Sequence, residues 1–319
     1  MSPRRPVELN PYEWCCANKI IDGNQCTIVW HIDDLKISHV DPNVVTAVIA
    51  DIQKEYGKTD TVTFTHGKVH NYLGMKIDFS APEKVEITMN DSIFDILDDT
   101  PDDMIGGAVT PAGAHFFQVN EEGPISICYK AELEFHQIVA ILLFLCKRAR
   151  PDLQTAAALI CTRVQKPDTD DYKKLSRTLK YSYATVGLPL ILGMDGTNTV
   201  SWWVYGVFAI HNNMKSHTGS YMSLGIGAAY ASSPKQKLNT RSSTKAELVA
   251  ADDSMPQIVW TRCFLEDQGY GINDSIFYQD NQSDMLLEKN VRAYSSKRTR
   301  HINVRFFSSP TAFRLENST

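Results

Sequence analysis

The chain has 319 residues, 43% hydrophobic and 22% charged, with a formal net charge of −5. That length exceeds one ordinary core and implies two or three compact units of ordinary globular composition. The negative balance excludes a globally basic nucleic-acid binder, so any basic surface has to be local.

Seven cysteines, Cys15, Cys16, Cys26, Cys128, Cys146, Cys161 and Cys263, are scattered without paired spacing. They read as reduced thiols of an intracellular protein. Cys15, Cys26 and His31 could begin a zinc site, but no CxxC or HxxxH partner completes it. The N-terminus, MSPRRPVELNPYEW, has no apolar signal core, and the longest apolar run, IVAILLFLC, is too short to span a bilayer, so no membrane partner is expected.

In chain order, residues 25–40 read as strand, tight turn and strand. Asp33 and Asp34 sit at the turn, between the apolar flanks Ile28, Trp30 and Ile32 and Leu35 and Ile37. A helix follows, with Asp41 as N-cap, Pro42 at its first position, Val44, Val45, Val48, Ile49 and Ile52 on one face, and Gly57 at its end. TVTFT, YLGMKIDF and KVEITM read as three strands, so the first 90 residues alternate strand and helix around a sheet.

Helices are predicted over 131–148, 151–165 and 170–186. Acidic residues gather before them, at Asp91, Asp95, Asp98, Asp99, Asp102 and Asp103. Basic ones gather at Lys147, Arg148 and Arg150 and at Lys173, Lys174, Arg177 and Lys180. Such runs are ordinarily solvated faces. MDGTN, around Asp195, is a turn and a boundary. WWVYGVFAIH and GSYMSLGIGAAYA read as hairpin strands, with the GIG at 225–227 a bulge rather than a dinucleotide loop. A long helix over 244–268, kinked at Pro256, a strand over 275–279, a helix over 282–290 and a basic terminal segment complete an α/β arrangement with a mixed sheet.

Two adjacent carboxylates at a hairpin turn can hold a divalent cation at a polynucleotide end, although a lone Asp-Asp is more often only a polar turn. Here WHIDDLKISH resembles the YVDD motif of reverse transcriptases in the form found in copia-type LTR retrotransposons, with His31 and Ile32 where Tyr and Val are commonest. HQIVAILLFLCKRARPDLQTAAALICTRV and PDTDDYKKLSRTLKY resemble that family's thumb and connection. MKSHTGSYMSLGIGA, QKLNTRSSTKAELVA, YQDNQS and KRTRHINVRFF resemble its ribonuclease H domain.

The resemblance implies an α/β (α+β) chain with a partial reverse-transcriptase palm over 1–90, a helical thumb or connection over 91–190, a ribonuclease H-like domain over 194–307 and a divergent tail over 308–319. It implies RNA-directed DNA polymerisation and hydrolysis of RNA paired to DNA in the parent element. Mg²⁺ or Mn²⁺ would be the cofactor, and template-primer or RNA/DNA hybrid the partner. The setting would be intracellular, in a cytoplasmic virus-like particle or the nucleus.

Asp33 and Asp34 match the palm pair. The family's third palm carboxylate lies on an earlier strand, for which about 30 residues leave no room, so weak polymerase activity is expected. Glu247 and Asp280 match ribonuclease H metal ligands. On local grounds Glu247 could instead close a capping box with Thr244, and Asp280 could cap the next helix. Tyr205 stands where the family has Asp, and Asn303 where many relatives have Asp. A phenol with a pKa of about 10 is neutral at pH 7 and a poor Mg²⁺ ligand, so weak cleavage is expected as well. Lys173, Lys174, Arg177 and Lys180, with Lys297, Arg298, Arg300, His301 and Arg305, are candidate contacts to the nucleic-acid backbone. His211 and His217, flanking HNNMKSH, could touch phosphate, or simply be solvated. The alternatives to an enzyme are a non-enzymatic hybrid-binding module and the product of a decayed element.

Overall fold

A computed structural model describes residues 8–57, 62–98, 100, 104, 106–120, 127–279 and 314–317. The fold is α+β: three sheets and six α-helices among the described residues. No described helix is long and apolar enough to cross a membrane.

The first sheet is an antiparallel meander of β1 (Glu8–Asn10), β2 (Glu13–Ile21), β3 (Asn24–His31) and β4 (Asp34–Ser38). Helix α1 (Pro42–Tyr56) follows, with the Asp41 side chain accepting from the Asn43 amide, as the N-cap signal predicts. Of its five-residue apolar face only Val44 is fully buried. The other four stay partly accessible because α1 stands off β2 and β3, leaving a groove of about 590 Å³ lined by Ala17, Ile28, Val48 and Ile52 among others.

The single sheet expected for the first 90 residues is in fact divided. Residues 62–66 have no ladder partner and form no strand, and Phe64 is exposed. YLGMKIDF is not one strand. It contains the turn of a hairpin between β5 (Val69–Tyr72) and β6 (Met75–Asp78), with positive φ at both Leu73 and Gly74, the signature of a type I′ turn. These strands join β7 (Lys84–Thr88), β8 (Leu190–Met194) and the two-residue β11 (Gly225–Ile226) in a second, wholly antiparallel sheet. The GIG segment thus leaves its hairpin to pair with β8. A Cβ on Gly227 would stand 1.9 Å from the Ile191 carbonyl oxygen, so only glycine fits there.

Helix α2 (Asn90–Asp98) was not anticipated; it carries Asp91, Asp95 and Asp98, while Asp99, Asp102 and Asp103 lie outside the described residues. Helices α3 (Tyr129–Arg148) and α5 (Thr169–Ala184) follow the prediction closely, whereas α4 (Gln154–Cys161) covers only the middle of the predicted 151–165 span, which opens with a 3-10 turn over Pro151–Leu153. Phe135, Ile138, Val139, Leu142, Leu145 and Cys146 recur on one face of α3 and bury against Leu153, Ala157, Ile160, Leu175 and Leu179. Such i, i+3, i+4, i+7 spacing is the reason this stretch is helical. All seven cysteines are free thiols. Burial pushes Cys146 up to about 11, so it packs as an inert apolar side chain.

The third sheet has the order β12-β10-β9-β13-β14, formed by β9 (Thr199–Val207), β10 (His217–Ser223), β12 (Tyr230–Ser232), β13 (Asp274–Gln279) and β14 (Arg314–Asn317). β9 pairs antiparallel with β10 and parallel with β13, giving the expected mixed sheet. Within the tail, residues 314–317 form its edge strand, parallel to β13. Helix α6 (Ser243–Asp267) covers one face and continues through Pro256, where a sequence reading placed a kink. Asp195 is the turn residue expected: its carboxylate accepts from the Thr197 amide and hydroxyl, which hold it below the usual carboxylate range.

Arg150 departs from the reading of a solvated basic run. It is 2% exposed, paired twice to Asp152 at 2.9 and 2.7 Å, and bonded to the Thr185 carbonyl and hydroxyl at 3.2 and 2.7 Å. It joins the end of α3 to the end of α5. Asp152 reaches solvent, so losing the guanidinium strands no charge but removes four hydrogen bonds from a buried joint. Arg150→Ala should therefore lower the apparent unfolding free energy by about 2–3 kcal/mol, read as a fall in urea midpoint. Arg148→Ala, which loses a partly exposed ring contact to Phe144, should cost about 1 kcal/mol or less. Equal midpoint shifts for the two variants would contradict the assignment.

Candidate functional site

The Asp pair sits at the tip of the β3–β4 hairpin. His31 pairs with Asp34, and Ile32 and Asp33 form a two-residue turn. Ile32 has φ 53, a left-handed conformation that a β-branched residue rarely adopts. Its side chain is 84% exposed. Both carboxylates are exposed, and so is Leu35, so the flanking strands are not the buried ones their composition suggested. Sequence reading did not find Tyr72. Burial, and then the negative charges of Asp34 and Cys15, push its hydroxyl above the ordinary phenol range.

A second group of predicted residues gathers where α6 crosses β9. Residues Val200, Trp202, Val204 and Gly206 of β9 form its buried row, and α6 meets it with Ala246, Ala250, Ala251, Ser254 and Ile258. The small side chains let helix and strand approach closely. A Cβ on Gly206 would stand 2.5 Å from the Ala246 carbonyl oxygen and 2.8 Å from the Glu247 nitrogen.

At that crossing the Glu247 carboxylate accepts the Gly206 amide proton at 2.7 Å. The capping box with Thr244 does not form, because the helix starts earlier: Ser242 is the N-cap and its hydroxyl accepts from the Lys245 amide. Glu247 is thus bonded to the peptide unit that joins Tyr205 to Gly206. Tyr205 belongs to the alternate row of β9, the row of Trp203, and is half-buried. Trp203 lies between Tyr221 and Tyr278, with ring centroids 4.6 and 4.8 Å apart. The signal that could have disclosed the amide partner is the glycine directly after position 205.

Strand β13 leads to position 280. Asp280, Asn303, Lys297, Arg298, Arg300, His301 and Arg305 lie outside the described residues.

The basic residues of α5 are engaged more than their pattern suggested. Lys174 pairs with Asp170 at 2.8 Å and also donates to the Gln118 carbonyl. Arg177 donates to the Thr110 hydroxyl at 2.9 Å, and the Lys180 stem lies against Gly106. Together they hold segment 106–118 on α5. Lys173 and Arg177 remain exposed to solvent. His211 and His217 are neither solvated nor open to phosphate, being 4% and 5% exposed.

Two Mg²⁺ ions need several carboxylate oxygens converging on them. Among the described residues no three His, Cys, Asp or Glu side chains come together in that way, nor do Cys15, Cys26 and His31 form a zinc site.

A small-residue helix packed on a mixed sheet, next to a helical unit and a hairpin bearing two carboxylates, defines the class of fold. No family model matches the chain. The sequence is 24% identical over 289 residues to the retrovirus-related Pol polyprotein from transposon TNT 1-94 of Nicotiana tabacum, covering 89% of this chain and 21% of that protein. It is 27% identical over 134 residues to the uncharacterized mitochondrial protein AtMg00810 of Arabidopsis thaliana, covering 42% of this chain and 55% of that protein. The chain thus spans about a fifth of the first relative and about half of the second. Over most of its length it is similar in sequence to part of a plant retrotransposon Pol polyprotein.

Gly206→Ala tests the crossing. The added methyl meets backbone on α6 rather than a flexible side chain, so it should destabilise by about 1–3 kcal/mol. Separately, Glu247→Gln should keep the amide acceptor and lose less than Glu247→Ala, which leaves the Gly206 N–H without it. Thermal melting of the three variants checks the order, and an undisturbed Gly206→Ala would refute the close approach.

Proposed function

We propose that the chain derives from the reverse-transcription segment of a copia-type retrotransposon Pol polyprotein, and that residues 194–307 form a ribonuclease H-like unit that binds RNA/DNA hybrid but no longer cleaves it efficiently. The observation that carries this reading is the Glu247 carboxylate bonded to the Gly206 amide, on the strand whose preceding residue is Tyr205. A carboxylate at position 205 would sit on the residue whose peptide unit receives that bond and add a negative charge to this end of β9. A phenol adds bulk without charge. Glu247 and Asp280 then bring only two formal negative charges to a site built for two dications, so the second metal is poorly held.

On the same reading Asp33 and Asp34 are the remnant polymerase pair, with Mg²⁺ or Mn²⁺ the metal of the parent activity. Hybrid binding would draw on local basic groups, with Lys173 and Arg177 on α5 and Lys297, Arg298, Arg300, His301 and Arg305 as the contacts. The net charge of −5 makes such binding depend on those clusters, so it should weaken steeply with salt.

The experiment is cleavage of a labelled RNA/DNA hybrid in Mg²⁺. The unmodified chain should leave the substrate intact, Tyr205→Asp should cleave it, and adding Asp280→Asn to that variant should abolish the gain. Cleavage by the unmodified chain that Asp280→Asn removes would refute the role given to Tyr205. Binding is checked alongside, as hybrid affinity against salt concentration. Lys173→Ala and Arg177→Ala should each reduce the log–log slope by roughly 1, whereas a flat salt response would discard the electrostatic contacts.

A further inference from the structure

A buried histidine pair stands at the seam between the helical unit and the third sheet, and the function proposed above makes no use of it. His211 Nε2 lies 3.1 Å from His217 Nδ1, and His217 Nε2 lies 2.7 Å from the Ser233 hydroxyl. Ser233 in turn donates to the Thr155 hydroxyl of α4 at 3.1 Å. Phe117 presents edge contacts to both rings, with centroids 5.5 and 5.4 Å away. The chain of contacts therefore runs from segment 106–119, through the two imidazoles, to α4.

Around the pair, Asn212 donates to the Val119 carbonyl at 2.9 Å and Lys147 to the Ala231 carbonyl at 3.2 Å. Phe117, Ser233 and Thr155 are uncharged. The charged groups near the rings come from three loops. Lys235, which forms a β-bridge with His217, acts on both rings, and it faces Lys215 and Arg163 in turn. The Lys174–Asp170 pair sits further out, where Lys174 holds Gln118.

We propose that His211 and His217 form an acid-released latch between the helical unit and the third sheet. The bond between the rings requires one nitrogen to donate and the other to accept. When both rings are protonated, N–H faces N–H, the bond is lost, and two positive charges share a buried site with Lys235. The seam can relieve this only by opening to water.

The direction with pH follows from the environment. Burial first, and Lys235 second, depress both imidazoles from 6.5 to about 4. Above pH 6.5 the rings are neutral whether the seam is closed or open, and the latch is at full strength. As pH falls from 6.5 toward 4, released rings take up protons that docked rings do not, and the closed state loses stability. For a single ring with these values the loss at pH 5 is about thirtyfold in the closing equilibrium, and more when both contribute.

Hydrogen exchange of the full chain tests the latch, with rates corrected for the intrinsic effect of pH. Between pH 7 and pH 5, peptides covering 112–119 and 209–218 should lose protection by about thirtyfold or more, while α3 keeps its own. The double variant His211→Asn/His217→Asn should lose this acid response. Lys235→Met should move its midpoint to higher pH, because a charge opposing protonation is gone; that arm decides the matter if the double variant does not fold. Unchanged protection in the unmodified chain, an acid response retained in the double variant, an unmoved midpoint in Lys235→Met, or parallel loss across α3 would each overturn the proposal.

Discussion

The close approach of α6 to β9 is the constraint on which the rest of the structure depends. Ala246, Ala250 and Ser254 on the helix, and Gly206 on the strand, remove the side-chain bulk that would hold the two apart. Trp202 and Phe277 then fill the space beside the crossing and are fully buried. The far half of the same helix supports the first sheet. Trp260 donates to the Tyr12 carbonyl at 2.8 Å, and Gln268 bonds to the Cys16 sulfur at 3.2 Å. One helix thus positions both candidate acidic sites, Glu247 directly and the Asp33–Asp34 hairpin through the sheet that carries it.

Polar side chains do much of the joining elsewhere. Arg150 locks the ends of α3 and α5, Lys174 and Arg177 fasten segment 106–118, and the two histidines close the seam to the third sheet. Each is a residue type that a linear reading assigns to the surface or to a ligand. Buried polar groups are tolerated where every bond is met, and at these joints the partners come from distant parts of the chain. The same bonds leave fewer basic groups exposed than the count of Lys and Arg suggests.

The candidate sites were legible to different degrees. The Asp33–Asp34 hairpin was visible because a hairpin is local, with apolar alternation on both sides of the pair, but the turn itself falls on Ile32 and Asp33, and Asp34 opens β4. Its exposure was not visible, since whether Leu35 and Ile32 are covered depends on what packs on that face. Glu247 was identified as a candidate ligand, but its partner was not, because the Gly206 amide lies 41 residues away. Local spacing instead suggested a cap with Thr244, and that alternative failed because Ser242 caps the helix, which begins at Ser243, one residue before the expected span.

What the sequence by itself determined is the set of elements formed by short-range physics. The α1 start at Asp41–Pro42, the apolar stripe of α3, the α5 span, the Asp195 turn and the mixed character of the third sheet follow from capping, periodicity and strand propensity. Only the tertiary structure decided how strands are shared among sheets, since β8 and β11 join a hairpin formed more than a hundred residues earlier. It also decided which charges are buried and which carboxylate meets which amide. Those outcomes depend on desolvation and on partners brought together by packing, and neither is encoded in the spacing of neighbouring residues.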